Sequence, residues 1–212
     1  MFRPNDCIVP AAQTVKGTIM LPLLLLAQAA QPVVEAERDF ASTAQTKGQW
    51  TAFRAFVAPD GLMMLDGPQP AAPFLKDRKD PPVAVMWWPA HVVTSCDGSL
   101  AFSTGPWRRK GGTAMGRYFT IWRHDAQGWR WVYDGGRQDE TGMPAGDVPV
   151  QPRHGACHKP PALPEEAPPA AGGHSRDGSL VWRIDKGANG YRLRVLFSTG
   201  GAWTTEGDVE VG

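Results

Sequence analysis

The chain lacks the short motifs that most often announce an enzyme. No GxSxG elbow, Walker loop or GxGxxG fingerprint occurs in its 212 residues, which excludes the commonest nucleophile and nucleotide frameworks. Neither sign of charge is in excess: 22 Lys and Arg against 21 Asp and Glu leave a formal net charge of +1. That balance removes the general electrostatic reason to expect a nucleic-acid or anionic-membrane partner. Cysteine is scarce, with three residues. His154-Gly-Ala-Cys157-His158 lacks the second thiol of a haem-attachment CxxCH and sits in a proline-rich stretch with no fourth ligand or rigid frame, so neither metal nor cofactor is expected. Long apolar runs are missing too. The longest, Thr18 to Ala27, is too short to span a bilayer comfortably as a permanent helix.

What is present begins with that run. Lys16 precedes it and Ala27-Gln-Ala29 follows, the basic, apolar, small-x-small order of a secretory signal. Cleavage is expected near Ala29 or Ala30, with Met20 as an alternative start to Met1, and the mature chain is expected in the periplasm or secreted. Cys7 is then lost, which leaves Cys96 and Cys157 as an even pair for one disulfide in an oxidising compartment; two free thiols are the alternative.

Residues 31–143 read as the main domain. Pro32 suits a first helical position, and Val33, Ala36, Phe40 and Ala44 recur at helical spacing up to Gly48. A second short helix spans Gln49 to Val57, with Trp50, Phe53 and Phe56 on one side. Pro59-Asp-Gly61 reads as a turn, Leu62 to Leu65 as a strand, and the segment around Ala72 to Asp77 as a further helical turn. From Val83 the pattern becomes strands: Val83 to Val93, Leu100 to Trp107, Arg117 to Arg123 and Trp129 to Tyr133, separated by Gly, Pro and Asp. Helices first and an antiparallel sheet after is the α+β order. Eight prolines between Pro144 and Gly173 mark residues 144–173 as a linker. Residues 174–212 read as a three-stranded meander, too small to stand alone and therefore expected to dock on the main domain. Asp-Gly-Ser-Leu occurs at both 97–100 and 177–180, and Phe-Ser-Thr-Gly at both 102–105 and 197–200. The unequal spacing of the two motifs reads as chance similarity of strand-turn chemistry.

The stretch Gly116 to Gly136, GRYFTIWRHDAQGWRWVYDGG, is the most informative. Direct pairing across Asp125-Ala-Gln-Gly128 matches His124 with Trp129, Trp122 with Trp131 and Thr120 with Tyr133. Tyr118, Thr120, Trp122, His124, Trp129, Trp131 and Tyr133 then share one face; Phe119, Ile121, Val132 and Asp134 share the other. Both faces are apolar, so the ribbon is expected to be covered on both sides rather than to serve as a nucleic-acid platform.

This hairpin resembles the closing hairpin of SnoaL-like, DUF4440-type proteins of the NTF2-like superfamily. Ala36-Glu-Arg-Asp-Phe40, Trp50-Thr-Ala-Phe-Arg-Ala-Phe56 and Ser103-Thr-Gly-Pro-Trp107 add to the resemblance, which covers roughly residues 33–136. It implies a cone: a curved antiparallel sheet wrapped around N-terminal helices, often with a pocket at its open end. Members include ketosteroid isomerase, cyclases and many proteins of no known activity, so the fold alone does not choose a chemistry.

An isomerase or cyclase of this kind needs a carboxylate in an apolar pocket. Asp134, at the end of the last core strand, and Asp66, after Leu62 to Leu65, are the candidates. The plainer readings are a salt bridge from Asp134 to Arg117 or Arg130, or a turn-capping carboxylate before Gly135-Gly136, and a turn at Asp66-Gly67. His124 and His91 read as satisfied strand-end residues. Trp88, Trp107, Tyr118, Trp122 and Trp131 are candidate wall residues for a ligand, although buried aromatics equally fill a curved sheet. The leading expectation is an exported, non-catalytic protein that binds a small apolar molecule. The competing ones are a small acid–base enzyme and a module that dimerises through its sheet face.

Overall fold

The computed structural model describes residues 32–112, 114–139, 146–163, 166, 168–188 and 190–211. The expected signal, with Cys7, Met20, Ala29 and Ala30, lies outside the described residues. Among the described residues, no helix is long and apolar enough to cross a membrane.

Helix α1 (Val33–Lys47) starts after Pro32, whose carbonyl accepts from the Glu35 and Ala36 amides, and buries Val33, Ala36, Phe40 and Ala44 along one stripe. Gly48 at φ 112° turns the chain into α2 (Gln49–Phe56). A side chain there is excluded twice, by the left-handed backbone and by the Asp80 carboxylate packed against it. That carboxylate caps α2 from thirty residues away, accepting from the amides of Trp50 (2.5 Å) and Thr51 (3.0 Å) and from the Thr51 hydroxyl (2.6 Å). These hydrogen bonds, the Thr51 hydroxyl's foremost, lower the Asp80 pKa.

The strands follow as β1 (Val57–Met64), β2 (Pro68–Pro70), β3 (Met86–Trp87), β4 (His91–Thr94), β5 (Leu100–Arg108), β6 (Met115–Asp125), β7 (Gly128–Gln138), β8 (Arg153–His154), β9 (Ala171–His174), β10 (Leu180–Gly187), β11 (Gly190–Ser198) and β12 (Trp203–Val211), with α3 (Ala71–Leu75) after β2. The larger sheet runs β2-β1-β7-β6-β5-β4-β8 with β3 on β5; the smaller runs β12-β11-β10-β9. The class is α+β, with the helices before a large curved sheet and a separate antiparallel one after it. The larger sheet is mixed rather than purely antiparallel, because β1 pairs parallel with β7 and β8 parallel with β4. Pro59-Asp-Gly61 is no turn. It lies inside β1, where the register against β7 shifts between Val57 and Leu62. The single strand expected over 83–93 is broken between β3 and β4 at Trp88-Pro89-Ala90. Proline has no N–H to give to a ladder.

Side chains alternate across the larger sheet. Val92, Ala101, Tyr118, Trp122 and Trp131 face the helices; Val93, Leu100, Phe102, Phe119 and Ile121 face the smaller sheet, which supplies Leu180, Trp182, Ile184, Leu193, Val195 and Phe197 to a second core. The face on which a partner subunit was expected is thus covered by the chain's own last strands. β9, within the stretch expected to be a structureless linker, is the fourth strand of that covering sheet.

Polar ties fasten the two layers. Glu206 on β12 accepts from Arg153 Nη1 (2.7 Å) and meets His91 Nε2 (2.9 Å). Cys96 and Cys157 form a disulfide that holds the proline-rich segment against the larger sheet. Beside it the two Asp-Gly-Ser-Leu turns meet. In each, the aspartate (Asp97 or Asp177) accepts from the hydroxyls of Ser95 and Ser99, or of Ser175 and Ser179. The turns then interlock: the Asp97 amide donates to Asp177 Oδ2 (3.0 Å), the Cys96 amide to Ser179 Oγ (2.8 Å), and the Arg176 amide to Ser99 Oγ (3.0 Å). Half of the echo is therefore structural. Its other half is not, since Phe102 follows its turn on β5 whereas Phe197 lies a strand further on, paired with Leu180.

Candidate functional site

The pairing of β6 and β7 decides where chemistry sits. His124 faces Trp129 and Trp122 faces Trp131, as direct pairing requires, but Ile121 then faces Tyr133 and Thr120 faces Asp134. Val132 is an extra residue, and such a bulge reverses the facing of everything beyond it. Tyr133 passes to the smaller sheet, beside Trp182 at 5.7 Å between ring centroids. Asp134 passes to the helix side. It pairs with neither Arg117 nor Arg130, because its carboxylate is across the sheet from them; it accepts from Thr120 Oγ1 at 2.8 Å instead.

There Asp134 borders a cavity of about 220 Å³ between α1, α2 and the sheet, walled by Phe40, Trp50, Phe53, Trp87, Trp107 and Tyr118 among others, with Arg109 at its edge. Asp134 is half-buried at this wall, which also carries Gln49 and Arg109. Desolvation pushes its carboxyl up to about 7, opposed by the Thr120 hydrogen bond and helped by the nearby negative charge of Glu37.

Glu37 is the second acid, and it is fully buried. It stands on the apolar stripe of α1, one helical step from both Val33 and Phe40. Its two oxygens each accept an indole N–H, Trp87 Nε1 at 2.9 Å and Trp122 Nε1 at 2.8 Å. On the neighbouring strand, Ser103 Oγ lies 3.0 Å from the Tyr118 hydroxyl. Burial outweighs the indole hydrogen bonds and raises the Glu37 pKa to about 7. The Tyr118 hydroxyl is held well above the usual phenol range, first by burial and then by the Glu37 charge.

No family model and no curated protein matches the chain. Among solved structures it is similar to a protein of Novosphingobium aromaticivorans named "putative aromatic ring hydroxylase", at 18% identity over 52% of this chain and 93% of that one, with a TM-score of 0.37. A likeness at that score carries no argument about activity.

The candidates from the sequence divide. Trp107 and Tyr118 line the cavity with Asp134; Trp88, Trp122 and Trp131 do not. Trp122 spends its indole N–H on Glu37, and Trp131 is packed against Phe53 at 5.9 Å with no exposure. Asp66 is exposed in the bend between β1 and β2, in a separate polar cleft with Tyr191 and Arg192. His124 stacks on Trp129 at the far hairpin end. Cys157 is committed to its disulfide and so offers no thiolate to a metal, and no metal-holding cluster occurs among the described residues. Glu37 escaped sequence reasoning altogether. Its signal was positional: an acid at an apolar-stripe position, three residues before Phe40.

Proposed function

We propose that this is an exported protein of the NTF2-like type that binds one small, ring-bearing, largely apolar molecule, with Asp134 as the polar anchor. The observation that carries this reading is a single carboxyl standing in a wall of aromatic side chains. Convergence of a few polar groups, here Asp134 with Gln49 and Arg109, on a largely apolar concavity is the usual form of a small-molecule site. A cavity of about 220 Å³ is somewhat larger than the roughly 150 Å³ hole that takes up benzene, which suits one substituted ring. The helices-then-sheet order supports the NTF2-like assignment, and the Cys96–Cys157 disulfide supports an oxidising compartment.

Calorimetric titration with p-cresol at pH 8 tests the binding reading. There the ionised Asp134 accepts a hydrogen bond from the phenol hydroxyl, and Asp134→Ala is expected to weaken binding about tenfold, the size of one hydrogen bond to a charged group. An absence of saturable binding by the unmodified protein refutes the reading.

The position of the Asp134 pKa favours a second reading, since a carboxyl near 7 is suited to take and return a proton at neutral pH. In this reading the carboxylate removes a proton from the carbon next to a carbonyl and returns it to the enolate so formed. Proton NMR of acetophenone in heavy water measures that exchange directly. Exchange in the unmodified protein that is lost in Asp134→Asn supports catalysis; no exchange above the buffer rate refutes it and leaves binding alone.

A further inference from the structure

We propose that the ligand of this cavity is an aromatic acid, a single ring bearing a carboxylate, and that Arg109 and the side-chain amide of Gln49 hold that carboxylate at the end of the cavity away from Asp134. This rests on the reading of the cavity as a ligand site and names the class of molecule the site takes.

The cavity wall carries hydrogen-bond donors that the protein itself does not use. Arg109 is exposed there, and its guanidinium makes no hydrogen bond or ion pair among the described residues. Its backbone is nevertheless fixed: the Arg109 amide donates to the Ala114 carbonyl (2.9 Å), and the Arg109 carbonyl accepts from the Gly112 amide (3.1 Å). A guanidinium has N–H donors only, in a planar fork that matches a carboxylate. Gln49 supplies the second donor. The Val85 amide donates to Gln49 Oε1 at 3.1 Å. A backbone N–H can only donate, so the oxygen of Gln49 is the atom that faces Val85, and its NH2 is the end left over. That NH2 has no partner among the described residues. Val85 is held from its other side as well, since its carbonyl accepts from Gln45 Nε2 at 2.7 Å.

Strand register brings the two donors together. β3 and β5 pair antiparallel, Met86 with Arg108 and Trp87 with Trp107. One step further along the same line Val85 comes beside Arg109, and Gln49 comes with it. Asp134 belongs to another level. It pairs with Thr120, which pairs with Ser103, six residues before Arg109 on the line of β5. Tyr118, opposite Gly105, and the facing pair Trp87 and Trp107 fall between these levels. The cavity thus has its one acid at one end, donors at the other and rings between them. A neutral ring leaves the donors to water, and a cationic one meets Arg109 with like charge. One carboxylate has two oxygens and a single charge, enough for the guanidinium and the amide together; a doubly charged phosphate leaves a charge unmatched, since Arg109 is the one cation on the wall.

The test is calorimetric affinity of the full chain, at pH 8 and low salt, for p-cresol, 4-hydroxybenzoate and 3-(4-hydroxyphenyl)propanoate. The first is neutral; the other two carry a carboxylate on the ring or two carbons beyond it. The quantity read is the affinity of the tighter-binding acid divided by that of p-cresol, in which the contributions of the phenol ring and of Asp134 largely cancel. Arg109→Gln is expected to lower this ratio about fivefold, the worth of one exposed ion pair. Gln49→Glu keeps an oxygen on the Val85 amide but turns the free donor into a charged acceptor, and should lower the ratio at least as far. Arg108→Gln removes the same charge from a neighbour that does not line the cavity, and should leave the ratio unchanged. A ratio that holds in Arg109→Gln or in folded Gln49→Glu, or that falls as far in Arg108→Gln, overturns the proposal while p-cresol binding leaves the ligand site intact. So does binding of p-cresol but of neither acid. If Gln49→Glu does not fold, the two arginine variants decide alone. Failure of all three probes to bind overturns the site and the acid assignment together.

Discussion

Replacing Glu37 with glutamine should remove its part of the fall in stability with rising pH, so that the effect of the substitution changes sign with pH. The folded-state pKa of Glu37 is about 7 against an ordinary value of 4.5. Between those values the native state holds a proton that the unfolded state has released, so stability falls as pH rises from about 4.5 to about 7. Below that window both states are protonated and the cost is absent; above it the cost is fully present. A shift of 7 − 4.5, about 2.5 units, at about 1.36 kcal/mol per unit is on the order of 3 kcal/mol. Glutamine is neutral throughout, but its amide nitrogen must face either the Trp87 or the Trp122 indole N–H. That donor-to-donor contact costs about 1–3 kcal/mol at every pH. The useful quantity is therefore a difference of differences. Because pH 5 already lies inside the window, the effect of Glu37→Gln should be about 2.5 kcal/mol more favourable at pH 8 than at pH 5. Its sign should run from destabilising at pH 5 to neutral or stabilising at pH 8. Urea unfolding under non-oxidising, non-reducing conditions, with the disulfide intact, gives both values by linear extrapolation. The same substitution removes the negative charge that acts on Asp134, so the Asp134 pKa should drop from about 7. Equal effects of the substitution at pH 5 and pH 8 would show that Glu37 titrates alike in both states and refute the reasoning.

Two further outcomes follow from other parts of the molecule. Reducing the Cys96–Cys157 bond, or replacing both cysteines with serine, frees a loop of sequence separation 61; chain-entropy arguments put the loss at about 4 kcal/mol, seen as a lower melting temperature. Tyr133→Phe should leave stability unchanged or raise it by up to about 1 kcal/mol in chemical denaturation, because it removes a buried hydroxyl that has no partner among the described residues; a loss of more than 1 kcal/mol would mean that the hydroxyl is bonded.

What the sequence disclosed and what it hid have separate physical causes. Helical spacing before Gly48 and the β-branched and aromatic runs after Val83 placed most elements, since burial on one side imposes a period on the chain. The facing of Asp134 was hidden because it turns on one inserted residue, Val132, and strict alternation has no way to register a bulge. With the bulge, a residue read as a surface ion pair becomes the polar group of the cavity. Glu37 was hidden for another reason. A lone acid within an amphipathic helix reads as solvated, and only the two indoles brought from residues 87 and 122 make its burial tolerable. Those partners are 50 and 85 positions away, beyond any local pattern. The paired Asp-Gly-Ser-Leu turns show the same limit: repetition was visible, but contact between the copies was not.

The sheet that covers the outer face is made after the face it covers. Until β10, β11 and β12 emerge, Phe102, Phe119, Ile121 and Tyr133 lack the cover of Leu180, Trp182, Ile184, Leu193, Val195 and Phe197, and the interlocking turn is missing its second half. The helix-side core around α1 can gather early, but its reverse remains a sticky surface for as long as synthesis of some seventy further residues takes after β7. Completion of the outer core is thus tied to delivery of β12, and a ribosome that stalls in the proline-rich stretch leaves behind a species suited to chaperones or to aggregation.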